Sequence, residues 1–246
     1  MSQQVMIGAM AKEPKAFKVL GFDCAGRGCA AAVLAGANVL ARRAESMERG
    51  QAERLMPLIA ETLKEAGLAP GELDLIAVTT GPGGFTGIRI GLAAARGLAL
   101  ATGIPAAGVS NFAAAAAAVP PQVREGRVLV AAIESKREEF YLQAFAASGE
   151  ALGAGALVHP RDLEAFLPAG KLLLTGDAAA RLLPRLKHRD AEIAAGSGPP
   201  DPAAVARLGL AIWQKGEAAP PRPLYLRAPD TTSPRARKTP GVKAGI

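Results

Sequence analysis

The chain has 246 residues, half of them apolar, with aromatics at only 4%, two cysteines and a formal net charge of +7. This is enough for one large or two modest folded units with a true core, and the abundance of Ala and Gly favours close backbone packing over packing through large rings. Cys24 and Cys29 are too few for a disulfide scaffold or a four-ligand zinc site, and no run of about 18 apolar residues supplies a membrane-spanning helix.

The start, MSQQVMIGAMAKEPK, lacks the basic n-region of a signal peptide, so a cytoplasmic chain is expected, its two cysteines serving as small buried hydrophobes. Residues 1–16 are expected to be a flexible N-terminus. The run FKVLGFD (17–23), then CAAAVL after GRG, then ANVLARR (37–43), reads as three strands joined by tight turns, an antiparallel meander. In 49–66, Leu55, Leu58, Ile59, Thr62, Leu63 and Ala66 recur at helical spacing, Pro57 falls inside and Gly67 stands where a helix stops. DLIAVT (74–79) reads as a buried strand, TTGPGGFTGIRIG as a turn into a helix from about Thr86 to Thr102, and 106–109 as another strand. A meander that passes into strand–helix alternation is a mixed α/β layer and not a doubly wound Rossmann sheet.

The second half restarts the pattern. An Ala-rich helix begins at Ser110, VLVAAI (128–133) and EFYLQAF (139–145) flank the turn ESKRE, and a strand is expected near Ala151 to Val158. RDLEAFL, KLLLTG, DAAARLLPRL and PAAVARLGLAIWQKG then alternate in type. Two units that each open with strands and then alternate indicate a duplicated fold: a first domain over 17–109 and a smaller second one over 110–220. From Pro221 to Ile246, Arg222, Arg227, Arg235, Arg237, Lys238 and Lys243 face one acid, Asp230. Residues 221–246 are therefore expected to be a basic, disordered tail, either a solubilising end or a weak contact for RNA phosphates.

The glycine loop decides what chemistry is open. A Walker loop needs GxxxxGK(S/T), whose Lys meets the phosphates, and no Lys occurs between Lys64 and Lys136; the dinucleotide fingerprint fails because Thr86 stands where the third glycine belongs. What remains is a residual anion or nucleotide loop, with Asp23, Gly83, Gly84 and Thr86 as candidates, Thr86 as the N-cap and Arg89 nearby; the competing reading is a plain strand-to-helix turn. His159 and His188 form no metal pair, and no metal site or catalytic residue is assigned. Asp177 in TGD suits a cap for the helix that follows. Gly87, Gly91, Ala94 and Leu98 fall at i, i+4, i+7 and i+11, a small-residue stripe that lets a neighbouring helix approach.

ERLMPLIAETLKEAG followed by DLIAVTTGPGGFTGIRIGLAAARGLALATGIPAAGVS resembles the bacterial TsaB (YeaZ) family, whose signature is roughly GPGSFTGLRIG, then a helix ending KGLA and the segment IPVIGVS. Here Gly84 stands for Ser, Ile88 for Leu and Arg96 for Lys. GFDCAGRGCAAAVL resembles the family's LAIDTATxxCSVAL opening, IESKREEFYLQAF its IDARxGEVY segment, and PLYLRAPD its C-terminal motif. Cys24 departs from the usual Thr, Gln51 from a frequent His, and Glu134 from Asp. The resemblance covers about residues 17–230.

It implies an α/β fold of the actin, sugar-kinase and Hsp70 type (ribonuclease H-like), with two related domains of mixed sheets, the second truncated. It also implies a non-catalytic scaffold or activating subunit of the complex that forms N6-threonylcarbamoyladenosine in tRNA, with no cofactor of its own. ATP and metal are then expected on partner subunits, a TsaD-like catalytic subunit and a TsaE-like ATPase, with tRNA met through the complex and a homodimer when isolated. The alternatives are a metallopeptidase-like (glycoprotease) protein or an ATP-binding enzyme of the same fold. The partner interface is expected on the first domain's helices, at Leu55, Ile59, Leu63, Gly87, Gly91, Ala94 and Leu98.

Overall fold

A computed structural model describes residues 16–218 and 220–227. Its first half is a five-stranded sheet of β1 (Lys18–Asp23), β2 (Gly28–Ala35), β3 (Asn38–Ser46), β4 (Leu75–Thr79) and β5 (Ala106–Val109), in the order β3-β2-β1-β4-β5. β1, β2 and β3 form the antiparallel meander, with Lys18 opposite Ala35 and Asp23 opposite Ala30, while β4 and β5 add in parallel. Two helices connect these strands: α1 (Gln51–Glu65) precedes β4, and α2 (Phe85–Thr102) joins β4 to β5. Gly67 follows α1 in the left-handed region at φ +68°, where its missing Cβ removes the penalty.

The two faces of this sheet follow the pleat. Leu20 and Phe22 of β1, Ile76 and Val78 of β4 turn to α1 and α2, while Val19, Leu75 and Ala77 turn to the opposite layer. That layer is α6 (Pro202–Gln214), close to the C-terminus, which crosses back from the second half. The approach is tight because glycine sits on both sides. A Cβ at Gly21 would lie 2.4 Å from the Pro202 carbonyl oxygen, and one at Gly209 2.4 Å from the Ala77 Cβ.

The second sheet contains β6 (Val128–Glu134), β7 (Phe140–Phe145), β8 (Ala156–Val158), β9 (Leu172–Thr175) and β10 (Ala191–Ile193), in the order β10-β9-β6-β7-β8. β6 pairs antiparallel with β7 and parallel with β9, as β1 does with β2 and β4, so the duplication read from the sequence is present strand for strand. The trimming lies in the helices. The counterparts of α1 and α2 shrink to single turns, α4 (Leu163–Phe166) and α5 (Ala179–Leu182). The helix α3 (Asn111–Ala117), capped by the Ser110 hydroxyl accepting from the Ala113 amide, leaves the first sheet to pack Phe112, Ala115 and Ala116 on the second. Each half thus gives its last helix to the other sheet, and α3 and α6 touch where they cross.

The segment 221–227, expected to be free, is built into the fold. The Leu224 amide donates to the Thr80 carbonyl (2.8 Å), Arg96 donates to the Pro221 carbonyl (2.7 Å), and Leu226 packs in the second half's core. Arg227 and Glu139 pair at 3.1 Å. Pro221, buried, with Leu224 and Leu226, half-buried, supplies the burial that the composition of the tail as a whole conceals. Arg235, Arg237, Lys238 and Lys243 lie outside the described residues.

Candidate functional site

Between the two halves lies a cleft of about 740 Å³. Its walls are the turn after β1, the start of α1, the glycine loop, the β6–β7 turn and the 221–227 segment.

The glycine loop does not form a free cradle. The Gly84 amide donates to the Ala25 carbonyl at 2.8 Å, and a Cβ on Gly87 would lie 1.9 Å from the Cys24 carbonyl oxygen. These glycines let the loop press against the backbone of the turn that follows β1. Gly84 is the N-cap of α2 with no side-chain cap, so Thr86 is not the cap; it lies inside the first turn with its side chain exposed. Arg89 stacks over Phe85 (3.8 Å to the ring centre) and donates to the Tyr225 hydroxyl (3.0 Å), which ties α2 to the terminal segment. Gly81 is held from behind: its amide donates to the Asn111 side-chain oxygen (3.0 Å) and its carbonyl accepts from the Asn111 amide (2.8 Å). Asn111 carried no signal in the sequence, since nothing local marks a side chain that reaches back across a strand.

Asp23 ends β1 but is buried, 4% exposed, and lies behind the cleft wall. It accepts from the Thr79 hydroxyl and the Ala25 amide, and burial pushes its carboxyl above the ordinary value despite those hydrogen bonds. Asp177 does not cap a helix; it accepts from the Glu134 amide at 2.9 Å, joining the β9 turn to the end of β6. Burial first, then the Glu134 and Asp23 charges, push its carboxyl up to about 6. Glu134 itself is gripped by Arg181 through two hydrogen bonds of 3.1 and 2.9 Å, and Arg181 lies 3.8 Å over the Phe140 ring. These three carboxylates, none of which lines the cleft, therefore each have partners inside the fold. Among the described residues, no three His, Cys, Asp or Glu side chains converge to hold a metal.

The rim is basic. Arg49 before α1 and Lys136 and Arg137 of the β6–β7 turn line the cleft, and the Lys136 ammonium comes within 3.6 Å of the point a Gly84 Cβ would occupy. The β6–β7 turn thus brings a lysine of the second half beside the glycine loop. Lys136 stands at φ +60°, a left-handed conformation uncommon for a side-chain-bearing residue.

The structure corrects the expected interface. Leu55, Ile59 and Leu63 are buried under α1 and Gly91 under α2, all facing the sheet; Gly87 meets the Cys24 carbonyl, and Ala94 and Leu98 pack on the same core. The periodic stripe marked the core-facing side of each helix. The outward side of the same two helices carries a second apolar row: Ala52, Met56 and Ala60 on α1, Ala93, Gly97 and Leu100 on α2. Leu100 is 88% exposed and Met56 43%.

Two sheets of one duplicated topology, closing a cleft at a strand-to-helix glycine loop, define a protein of the actin, sugar-kinase and Hsp70 fold. The profile of the family described as "TsaD: tRNA N6-adenosine threonylcarbamoyltransferase" matches residues 38–182, more than half of the chain. The chain is 36% identical over 97 residues to the tRNA threonylcarbamoyladenosine biosynthesis protein TsaB of Haemophilus influenzae, covering 39% of this chain and 41% of that one. It is 33% identical over 195 residues to the uncharacterized protein Mb3455c of Mycobacterium bovis, covering 78% and 82%. Among solved structures, YeaZ from Pseudomonas aeruginosa superposes with a TM-score of 0.73 at 28% identity, over 85% of this chain and all of that one. The chain belongs to the TsaB (YeaZ) family.

Proposed function

We propose that this chain is an accessory subunit in the formation of threonylcarbamoyladenosine in tRNA, and that it works by pairing with a TsaD-type subunit through the outer face of α1 and α2. The observation that carries the pairing is the exposed apolar row of Met56, Ala60, Ala93, Gly97 and Leu100. A monomer gains nothing by leaving a leucine 88% exposed beside an uncovered glycine, whereas a partner helix gains close approach and apolar burial. The pathway rests on family membership and on the name of the Haemophilus relative. Transfer chemistry, ATP and metal belong in this reading to the partner subunits: a TsaE-type ATPase joins the pair, and tRNA is met through the complex.

The test is titration of the purified chain with the TsaD-type subunit of the same organism. Replacing Leu100, which at full burial contributes about 1.5–3 kcal/mol, with Glu is expected to weaken the pair by roughly ten- to a hundredfold or more while leaving thermal unfolding of the single chain unchanged. Wild-type affinity in Leu100→Glu means that the face is wrongly assigned. Normal levels of the modified nucleoside in tRNA from a clean deletion strain would remove the pathway assignment as well.

A further inference from the structure

Cys24 and Cys29 are the chain's only cysteines, and the fold makes them neighbours across strands. β1 and β2 pair with Asp23 opposite Ala30, so the next position along sets Cys24 opposite Cys29 at the mouth of the hairpin. Directly opposed residues of antiparallel strands have Cα separations of about 4.5–5.5 Å, inside the range of about 4.4–6.8 Å that a disulfide spans. Their sulfurs stand 3.4 Å apart and share a hydrogen bond. Bonding at about 2.05 Å requires an approach of only about 1.4 Å, within reach of small side-chain rotations. Both are buried, Cys24 at the wall of the cleft with 1% exposure and Cys29 behind it near the Gln51 carbonyl with 2%, so oxidant reaches the pair from the cleft side.

The shared hydrogen bond splits the pair: it lowers the Cys29 thiol below the ordinary value, while the same bond, followed by burial, raises Cys24 above it.

We propose that Cys24 and Cys29 form an oxidisable dithiol that closes to an intrachain cross-strand disulfide when hydrogen peroxide enters the cleft. One thiol, as its thiolate, attacks a peroxide oxygen and breaks the O–O bond, giving a sulfenic acid and water. The neighbouring thiol then attacks that sulfur, forms the S–S bond and releases a second water. The dithiol loses two electrons and two protons overall, and the peroxide is reduced to two waters. A dithiol reductant reverses the change by exchange. The bond would fix the turn between Cys24 and Cys29, whose backbone receives the Gly84 amide and abuts Gly87 at the head of α2.

Trypsin supplies a direct readout, because Arg27 separates the two cysteines. Purified full-length chain is exposed to hydrogen peroxide, denatured, alkylated, digested and analysed by mass spectrometry. The expected result is loss of both alkylatable thiols, with peptides 19–27 and 28–42 joined in one species that dithiothreitol separates. The chain should remain monomeric on a non-reducing gel under denaturing conditions. Cys24→Ser and Cys29→Ser should each leave the remaining cysteine as sulfenic or sulfinic acid with no linked peptide. Two thiols that stay alkylatable, sulfinic acid on the wild-type cysteines without the linked peptide, or only intermolecular disulfides would each overturn the proposal. If a serine variant fails to fold, the wild-type peptide linkage decides alone.

Discussion

Gly87 and Gly97 lie on one helix, and Gly→Ala should act in opposite directions at the two positions. At Gly87 the added methyl would stand 1.9 Å from the Cys24 carbonyl oxygen, against an ordinary carbon–oxygen contact of about 3.3 Å. Helix and turn must separate by about 1.4 Å, which also breaks the 2.8 Å bond from the Gly84 amide to the Ala25 carbonyl. Overpacking costs about 1–3 kcal/mol and the lost hydrogen bond about 1, which outweighs the helix-propensity gain of up to about 1 kcal/mol, smaller still in a first turn. A net loss of about 1–4 kcal/mol is expected. At Gly97 nothing lies within 4 Å of the new Cβ, so only the propensity gain remains, up to about 1 kcal/mol of stabilisation. For a chain of this length each kcal/mol moves the midpoint by about 2–4 °C. Differential scanning calorimetry of the isolated chain should therefore show Gly87→Ala lowered by roughly 2–16 °C and Gly97→Ala raised by a few degrees. A Gly87→Ala protein as stable as wild type would refute the claim that the glycine loop exists for backbone contact, and a destabilised Gly97→Ala would refute the exposure of that helix face.

Asp177 gives a pH-dependent test. Its folded-state carboxyl is pushed from the ordinary 3.8 up to about 6 by burial, so the native state holds a proton that the unfolded chain releases. Stability is fully present below pH about 4, falls as pH rises to about 6 and is flat beyond, a loss of on the order of 3 kcal/mol at about 1.36 per unit. Asp177→Asn keeps an acceptor for the Glu134 amide without the charge, so its advantage over wild type in thermal unfolding should open between pH 4 and 6.5; an offset independent of pH would contradict the burial argument. Arg181→Lys removes the two-pronged grip on Glu134 and the stacking on Phe140, and should cost about 1–2 kcal/mol in urea unfolding. A loss under about 0.3 kcal/mol would mean that solvent, and not Arg181, satisfies Glu134.

Much of the fold was written locally. The alternation in β1 and β4, the 3.6-residue spacing of Leu55, Leu58, Ile59 and Leu63, and Gly67 past the end of α1 are short-range signals, and they fixed the elements and the repeated order of strands. The glycine loop was legible as a strand-to-helix turn for the same reason. Contacts that join distant segments were not legible. Spacing alone identified which stripe of α1 and α2 is apolar, but both sides are, and only the sheet beneath decided that Leu55, Ile59, Leu63 and Gly91 are core while Met56 and Leu100 face outward. Asn111 behind Gly81, Lys136 over Gly84, Asp177 on the Glu134 amide and α6 under the first sheet all depend on chain reversals that carry no local periodicity. The same division holds for the cysteines: composition made them two small buried side chains, and the β1–β2 register alone set their sulfurs within 3.4 Å, because pairing across strands is a property of the ladder and not of either strand.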